Sequence, residues 1–330
     1  MRPTLSALCN LFIENRDQIK SAFPWDSSYI YPVCASLFAD RSMSVDPQRL
    51  KACEELLKEK TNIFSNYRGI VKLALLSMLA VDNSPELKLE HSLQVYDILK
   101  KHFFTSEYLP IASMIITERV APAQYHTVAA RTKHIYQLMR QEHPFLTSNS
   151  DCLFAALLAL STHTDEDIVH ESEYCYDRLK STFFSADAVQ SLSHVLALNE
   201  GPGDEECQRT IDLYRLLKSR HCVYGTGHEL ATLGVLALLP APLETIADDL
   251  LEVDAFLSKQ KGYGFFGMTR TQRLMHAAML VSSDYIHHPP QNVVMPTVAL
   301  NSTLAIIISQ SAAMCASLVA VAAANNNSAT

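Results

Sequence analysis

The stretches YDILK (96–100), YQLMR (136–140), YDRLK (176–180) and YRLLK (214–218) are four copies of one phrase. In each, a tyrosine stands three residues before an apolar position that is followed by a basic one. Residues three apart share a helical face, so the phrase reads as a packing stripe near the end of a helix. The apolar–basic pair also occurs at Leu57-Lys58, and Leu257-Ser258 is a variant of it; successive intervals lie between 38 and 42 residues. A period of that size is the signature of a helical-hairpin repeat.

A second phrase follows each copy. An aromatic residue precedes small or polar ones at Phe64-Ser65, Phe104-Thr105, Phe145-Leu146-Thr147, Phe184-Ser185, Tyr224-Gly225 and Phe266-Gly267. Serine and threonine suit a helix N-cap, and the aromatic is expected to act as a hydrophobic staple over the first turn. A more apolar helix comes next, as in KLALLSMLAV, CLFAALLAL and ELATLGVLALL. An outer amphipathic helix thus alternates with an inner apolar one, with short breaks such as Gly201-Pro202-Gly203 between them. With a divergent first unit from Leu5 to Ala39, about seven hairpins reach Asp284. The expected fold is all-α, an α-α superhelix (solenoid) of these hairpins plus a C-terminal apolar helix. Within the inner helices one position stays small (Ser77, Ser113, Ala156, Gly234, Ala277), which predicts close helix approach there; His194 is the exception.

Composition agrees. Only nine glycines occur in 330 residues, few for a sheet protein rich in tight turns, and 48% of residues are hydrophobic. The net charge of −8 disfavours a polyanion, so no nucleic acid is expected as partner. Eight scattered cysteines without a Cys-x-x-Cys pair read as reduced and buried, in a cytoplasmic protein.

Two domains are expected, a repeat domain over 1–290 and an uncharged apolar C-terminal helix over 291–330, packed on the repeats with a disordered polar end. No charged residue follows Asp284. The tail is long enough to span a bilayer, but Pro296, Asn301 and the absence of flanking basic residues favour docking on the chain itself.

The segments Phe145-Leu-Thr-Ser, Ala188-Val-Gln-Ser-Leu-Ser-His-Val-Leu-Ala-Leu, Glu229-Leu-Ala-Thr-Leu-Gly-Val-Leu-Ala-Leu and Gly264-Phe-Phe-Gly resemble an uncharacterised bacterial family, known as domain of unknown function four thousand and three. The resemblance covers most of the chain. It implies a bacterial, all-α, cytoplasmic protein and supplies no activity, ligand or catalytic residue.

Candidate sites come from local chemistry. Gly262-Tyr-Gly264-Phe-Phe-Gly267 precedes a helix beside Lys259, Lys261, Arg270 and Arg273, so Gly262, Gly264, Gly267 and Arg270 form a possible anion site. A dinucleotide fold requires a preceding strand, and a helix stands there instead. The competing reading is a glycine-assisted helix end. The first turns of the inner helices collect polar groups: Arg68, Tyr108, Asp151, Gln190, His228, Glu229, Gln272 and Arg273. With His194, one turn from Gln190, such a row suits a protein or peptide lying along an inner groove, and equally ordinary helix-end polarity. His170-Glu171 and His228-Glu229 lack the second histidine of a zinc-protease motif, so no metal is expected, nor any cofactor. The run Asp248, Asp249, Glu252 and Asp254 reads as a solvated outer face. The favoured function is a non-enzymatic helical-repeat binding or scaffold protein. The alternatives are an enzyme with an α/α-toroid cavity and a membrane-associated adaptor.

Overall fold

A computed structural model describes residues 1–199, 203–264, 267–289 and 313–324. Their regular secondary structure is helical, with no strand among the described residues. In order these are α1 (Pro3–Ala22), α2 (Tyr31–Asp40), α3 (Pro47–Lys60), α4 (Lys72–Ala80), α5 (Pro85–Leu99), α6 (Tyr108–Arg119) and α7 (Tyr125–Glu142). Then follow α8 (Asp151–Ala159), α9 (Asp165–Leu179), α10 (Ala186–Leu196), α11 (Gly203–Ser219), α12 (Leu230–Ala237), α13 (Leu243–Ser258) and α14 (Arg270–His287). Two compact units result, one of residues 14–169 with 320–330, the other of 1–13 with 170–319.

In the first of these units α3 packs on α4, α5 on α6 and α7 on α8. The outer helices α3, α5 and α7 are successive neighbours, as are the inner helices α2, α4, α6 and α8. The inner helices are apolar all round, and Leu73–Ala80, Tyr108–Ile116 and the whole of α8 are buried, as such composition requires. Their few hydroxyls are satisfied within the helix: Ser77 donates to the Leu73 carbonyl (2.8 Å) and Ser113 to that of Leu109 (2.7 Å). The outer helices bury one stripe, which in α7 is Tyr125, Val128, Ala129, Thr132, Ile135, Tyr136 and Met139. In the second unit α11 and α13 are outer neighbours, while α10, α12 and α14 pack in series. A Cβ on Gly234 would lie 2.5 Å from Leu192 Cδ1, so this small position marks the close approach of α12 to α10.

The tyrosines of the opening phrase serve between hairpins rather than within one helix. Tyr67 meets Tyr96 edge-on (centroids 5.3 Å apart), Phe103 meets Tyr136 (5.1 Å) and Phe183 meets Tyr214 (5.1 Å). Each time the connection after one outer helix packs on the next outer helix.

The staple expectation fails at four of the positions. Phe64, Phe104, Phe145 and Phe184 are 83–99% exposed, and Trp25 96%. A neighbouring aromatic is the inward one in several turns, with Phe23, Phe183 and Tyr263 buried and Phe103 half-buried, whereas at Tyr224 the expected aromatic is itself buried. Ser65, Ser185 and Thr269 do cap their helices through backbone N–H groups. All eight cysteines are free and buried, and burial pushes the Cys34 thiol up to about 12.

Residues 313–324 are helical, with Ala313, Met314, Cys315, Ser317, Leu318 and Val321 buried. The rest of the expected 291–330 helix and its polar end lie outside the described residues, as do Gly201-Pro202 and Phe266. No helix among the described residues is long and apolar enough to cross a membrane.

Candidate functional site

The polar first turns are built by capping. Arg68, just before α4, bonds the Thr61 carbonyl (2.5 Å), the Thr61 hydroxyl (3.0 Å) and the Lys58 carbonyl, closing the end of α3. Lys72, the first residue of α4, pairs with Glu54 (2.9 Å) and lies 4.0 Å from Asp26. Burial raises the Asp26 carboxyl above its ordinary range; Lys72 opposes this and Glu54 adds to it. Tyr108 opens α6 and is buried. Asp151 opens α8 and accepts from the Ser148 N–H (2.7 Å) and hydroxyl (3.3 Å). Because α4, α6 and α8 are neighbours, Arg68, Tyr108 and Asp151 stand at corresponding ends of three inner helices.

In the other unit Gln190 and His194 lie on α10, both buried. His228 Nδ1 stands 3.4 Å from Asp187. Glu229 folds back to accept from the Gly227 N–H (3.0 Å), and a Cβ on Gly225 would overlap its carboxylate. Gln272 completes a capping box with Thr269. The Gly262–Gly267 loop is closed by its own backbone: Met268 N–H donates to Gly262 (2.9 Å) and Gly267 N–H to Gly264 (2.8 Å). Gly262 has φ +90°, and a Cβ on Gly267 would sit 2.0 Å from the Gly262 carbonyl oxygen, so both positions require glycine. Arg273 pairs with Asp254 (2.5 Å), and Arg270 lies 3.7 Å from the same carboxylate.

A family model described as a protein of unknown function, DUF4003, matches residues 15–312. The chain belongs to the DUF4003 family. No curated protein and no solved structure matched it. The resemblance carried by the segments between Phe145 and Gly267 therefore holds at family level.

This DUF4003 chain also holds polar groups that the sequence reading misplaced. Asp249 and Asp254 are both buried, which corrects the solvated-face assignment for half of that acidic run. Arg2 lies 3.1 Å from Asp249 and 2.9 Å from Asp284, with its guanidinium 4.1 Å above the Tyr285 ring. Tyr285 donates to Asp249 (2.8 Å). Burial, then the hydrogen bond and charge of Asp249, drive the Tyr285 hydroxyl well above its ordinary range. Nothing in the sequence near Asp249 announces a partner some 250 positions earlier. A second buried pair joins the Tyr263 hydroxyl to His276 Nδ1 (2.9 Å). Among the described residues no group of three or more His, Cys, Asp or Glu side chains is arranged to hold a metal ion.

Proposed function

We propose that this protein is a non-enzymatic helical-repeat binding protein, a scaffold that recognises a protein or peptide segment. The use of its polar groups supports this reading. Arg68 bonds backbone carbonyls at the end of α3, Asp151, Glu229 and Gln272 bond backbone N–H groups of their own turns, and Arg273 pairs with Asp254. Charged groups spent on capping are poorly placed for acid–base chemistry, which needs a free group poised at a reacting atom. The corresponding inner-helix ends, where Arg68 is half-buried and Tyr108 and Asp151 are buried, follow one another in series along one unit, and repeat proteins read extended ligands along such an edge.

The test is selection of a displayed random-peptide library on the immobilised full-length protein, followed by calorimetry with the enriched peptides. Saturable one-to-one binding that weakens at least tenfold in His228→Ala, with melting temperature retained, is expected. Failure to enrich any peptide, together with marked thermal stabilisation by a small metabolite or metal ion, would replace this reading with the enzyme one.

A further inference from the structure

Two cysteines of the second unit face each other across consecutive outer helices. Glu171 and Cys175 stand one turn apart on α9 and so share a face, as do Gly203 and Cys207 on α11. These faces meet. A Cβ on Gly203 would overlap the Glu171 carboxylate and lie 3.3 Å from Cys175 Sγ, so the glycine lets the start of α11 come close against α9. One turn on, Cys207 Sγ donates to the Cys175 carbonyl oxygen (4.0 Å), and the two thiols are hydrogen-bonded to each other. All four residues lie within the unit of residues 1–13 and 170–319.

The repeat register shows what else occupies such positions. Cys175 stands one residue before the tyrosine of its repeated phrase, and Cys207 seven before the tyrosine of the next. The same two offsets give Val95 with Ala129, and Ile135 with Val169. Val95, Ala129 and Ile135 are buried packing residues. Between α9 and α11 both members are thiols instead, and a carboxylate joins them: the half-buried Glu171 stands with Oε1 3.9 Å from Cys175 Sγ. Packing alone asks for neither the second thiol nor the acid.

We propose that Cys175 and Cys207 form a reversible disulfide when the protein meets a hydroperoxide, tying α9 to α11. Cys175 reacts first, because Glu171 stands beside it as proton acceptor. At rest the thiol is held protonated: the Cys207 hydrogen bond, then burial and the neighbouring acidic groups, drive it well above its ordinary range. Brief exposure to oxidant therefore leaves the pair reduced, and sustained exposure converts it. Glu171 takes the thiol proton as the sulfur attacks one peroxide oxygen. The O–O bond breaks, and the departing oxygen leaves with that proton as alcohol or water. Cys175 is then a sulfenic acid. The Cys207 sulfur attacks it, the S–S bond forms, the S–O bond breaks, and water leaves with the Cys207 proton. Two thiols are thereby oxidised and one hydroperoxide is reduced, with no further reagent. A disulfide requires Cα atoms within roughly 7 Å of each other, and Gly203 permits that approach on this face. The device is independent of any peptide bound elsewhere on the chain.

In the test, full-length protein is exposed to hydrogen peroxide, its remaining thiols are blocked with N-ethylmaleimide, and intact mass and proteolytic peptides are measured. Two of the eight cysteines should escape alkylation, with the fragments carrying Cys175 and Cys207 joined, and dithiothreitol should restore both thiols. The cross-linked protein should melt at a higher temperature than the reduced one, because the link restricts the unfolded chain. Cys207→Ser should stop at the sulfenic acid, captured on Cys175 by dimedone, whereas Cys175→Ser should leave Cys207 unmodified. The peptide map of the parent decides the matter even where a variant fails to fold. Complete alkylation at a peroxide concentration that oxidises the urea-unfolded chain overturns the inference. So does a disulfide between any other pair, or a cross-linked form that melts below the reduced one.

Discussion

Arg209 closes the helix that follows its own: its guanidinium, anchored on α11, bonds the Leu239 carbonyl just beyond α12 at 3.0 Å. It also takes the carbonyls of Ala237 (2.5 Å) and Ala241. Arg131 on α7 does the same past α8, bonding Ala159 (3.0 Å), Ser161 (2.7 Å) and His163, and Arg49 on α3 bonds Ala80 (2.5 Å) and Asp82 past α4. The last carbonyls of a helix have no intrahelical donor, and a planar guanidinium can serve several at once. The device recurs because each short inner helix ends against its outer partner.

Replacing Arg209 or Arg131 by methionine keeps most of the packing and removes the donors. Each substitution is expected to destabilise by about 2–4 kcal/mol, since charge-assisted bonds are lost and partly buried carbonyls are left unpaired. Urea unfolding of the two variants measures it; a loss below 0.5 kcal/mol in both would contradict the capping role.

Adjacent phenylalanines should behave oppositely. Phe183 is 1% exposed and packs on Tyr214, whereas Phe184 is 95% exposed. Phe183→Ala is expected to cost about 3–5 kcal/mol, while Phe184→Ala should stay within about 0.5 kcal/mol of the parent. Thermal melts of the two single variants decide the matter.

Gly234→Leu places a branched side chain where even a Cβ crowds Leu192. Overpacking of this kind costs about 1–3 kcal/mol. The measurement is the shift in denaturation midpoint, and an unshifted midpoint would mean that α10 and α12 are not in close contact.

Asp165 supplies a pH dependence. Burial opposes its ionisation, but hydrogen bonds from His134 (2.8 Å) and Arg131 (2.7 Å) outweigh that and hold its carboxyl below the ordinary 3.8. A lowered native pKa gives stability that is complete above the unfolded value and is lost as pH falls through the folded one. Asp165→Asn should therefore be less stable than the parent at pH 6, with the gap closing below about pH 3.8. A gap that persists unchanged at pH 2 would show that the loss is not electrostatic.

The inner and outer helices were legible because each carries its own periodicity: an apolar residue on every face of α8, and one stripe on α7. Close approach at Gly234 was legible for the same reason, since smallness at a fixed register reports what lies opposite. The candidate residues were legible only as positions. That Arg68 turns back to the Thr61 carbonyl, and Glu229 to the Gly227 N–H, depends on side-chain direction, which residue type does not encode.

By itself, then, the sequence determined the helical class, the near-forty-residue period, the alternation of outer and inner helices and the family, because all of these rest on local patterns repeated along the chain. The tertiary structure alone decided which aromatic of each turn is buried and which stands in water. Phe183 and Phe184 are chemically identical neighbours, and only the arrival of Tyr214 from the next hairpin distinguishes them. It also decided that Asp249 faces Arg2 rather than solvent. Burial and ion pairing are set by what the fold brings from elsewhere in the chain, and a local pattern carries no record of that.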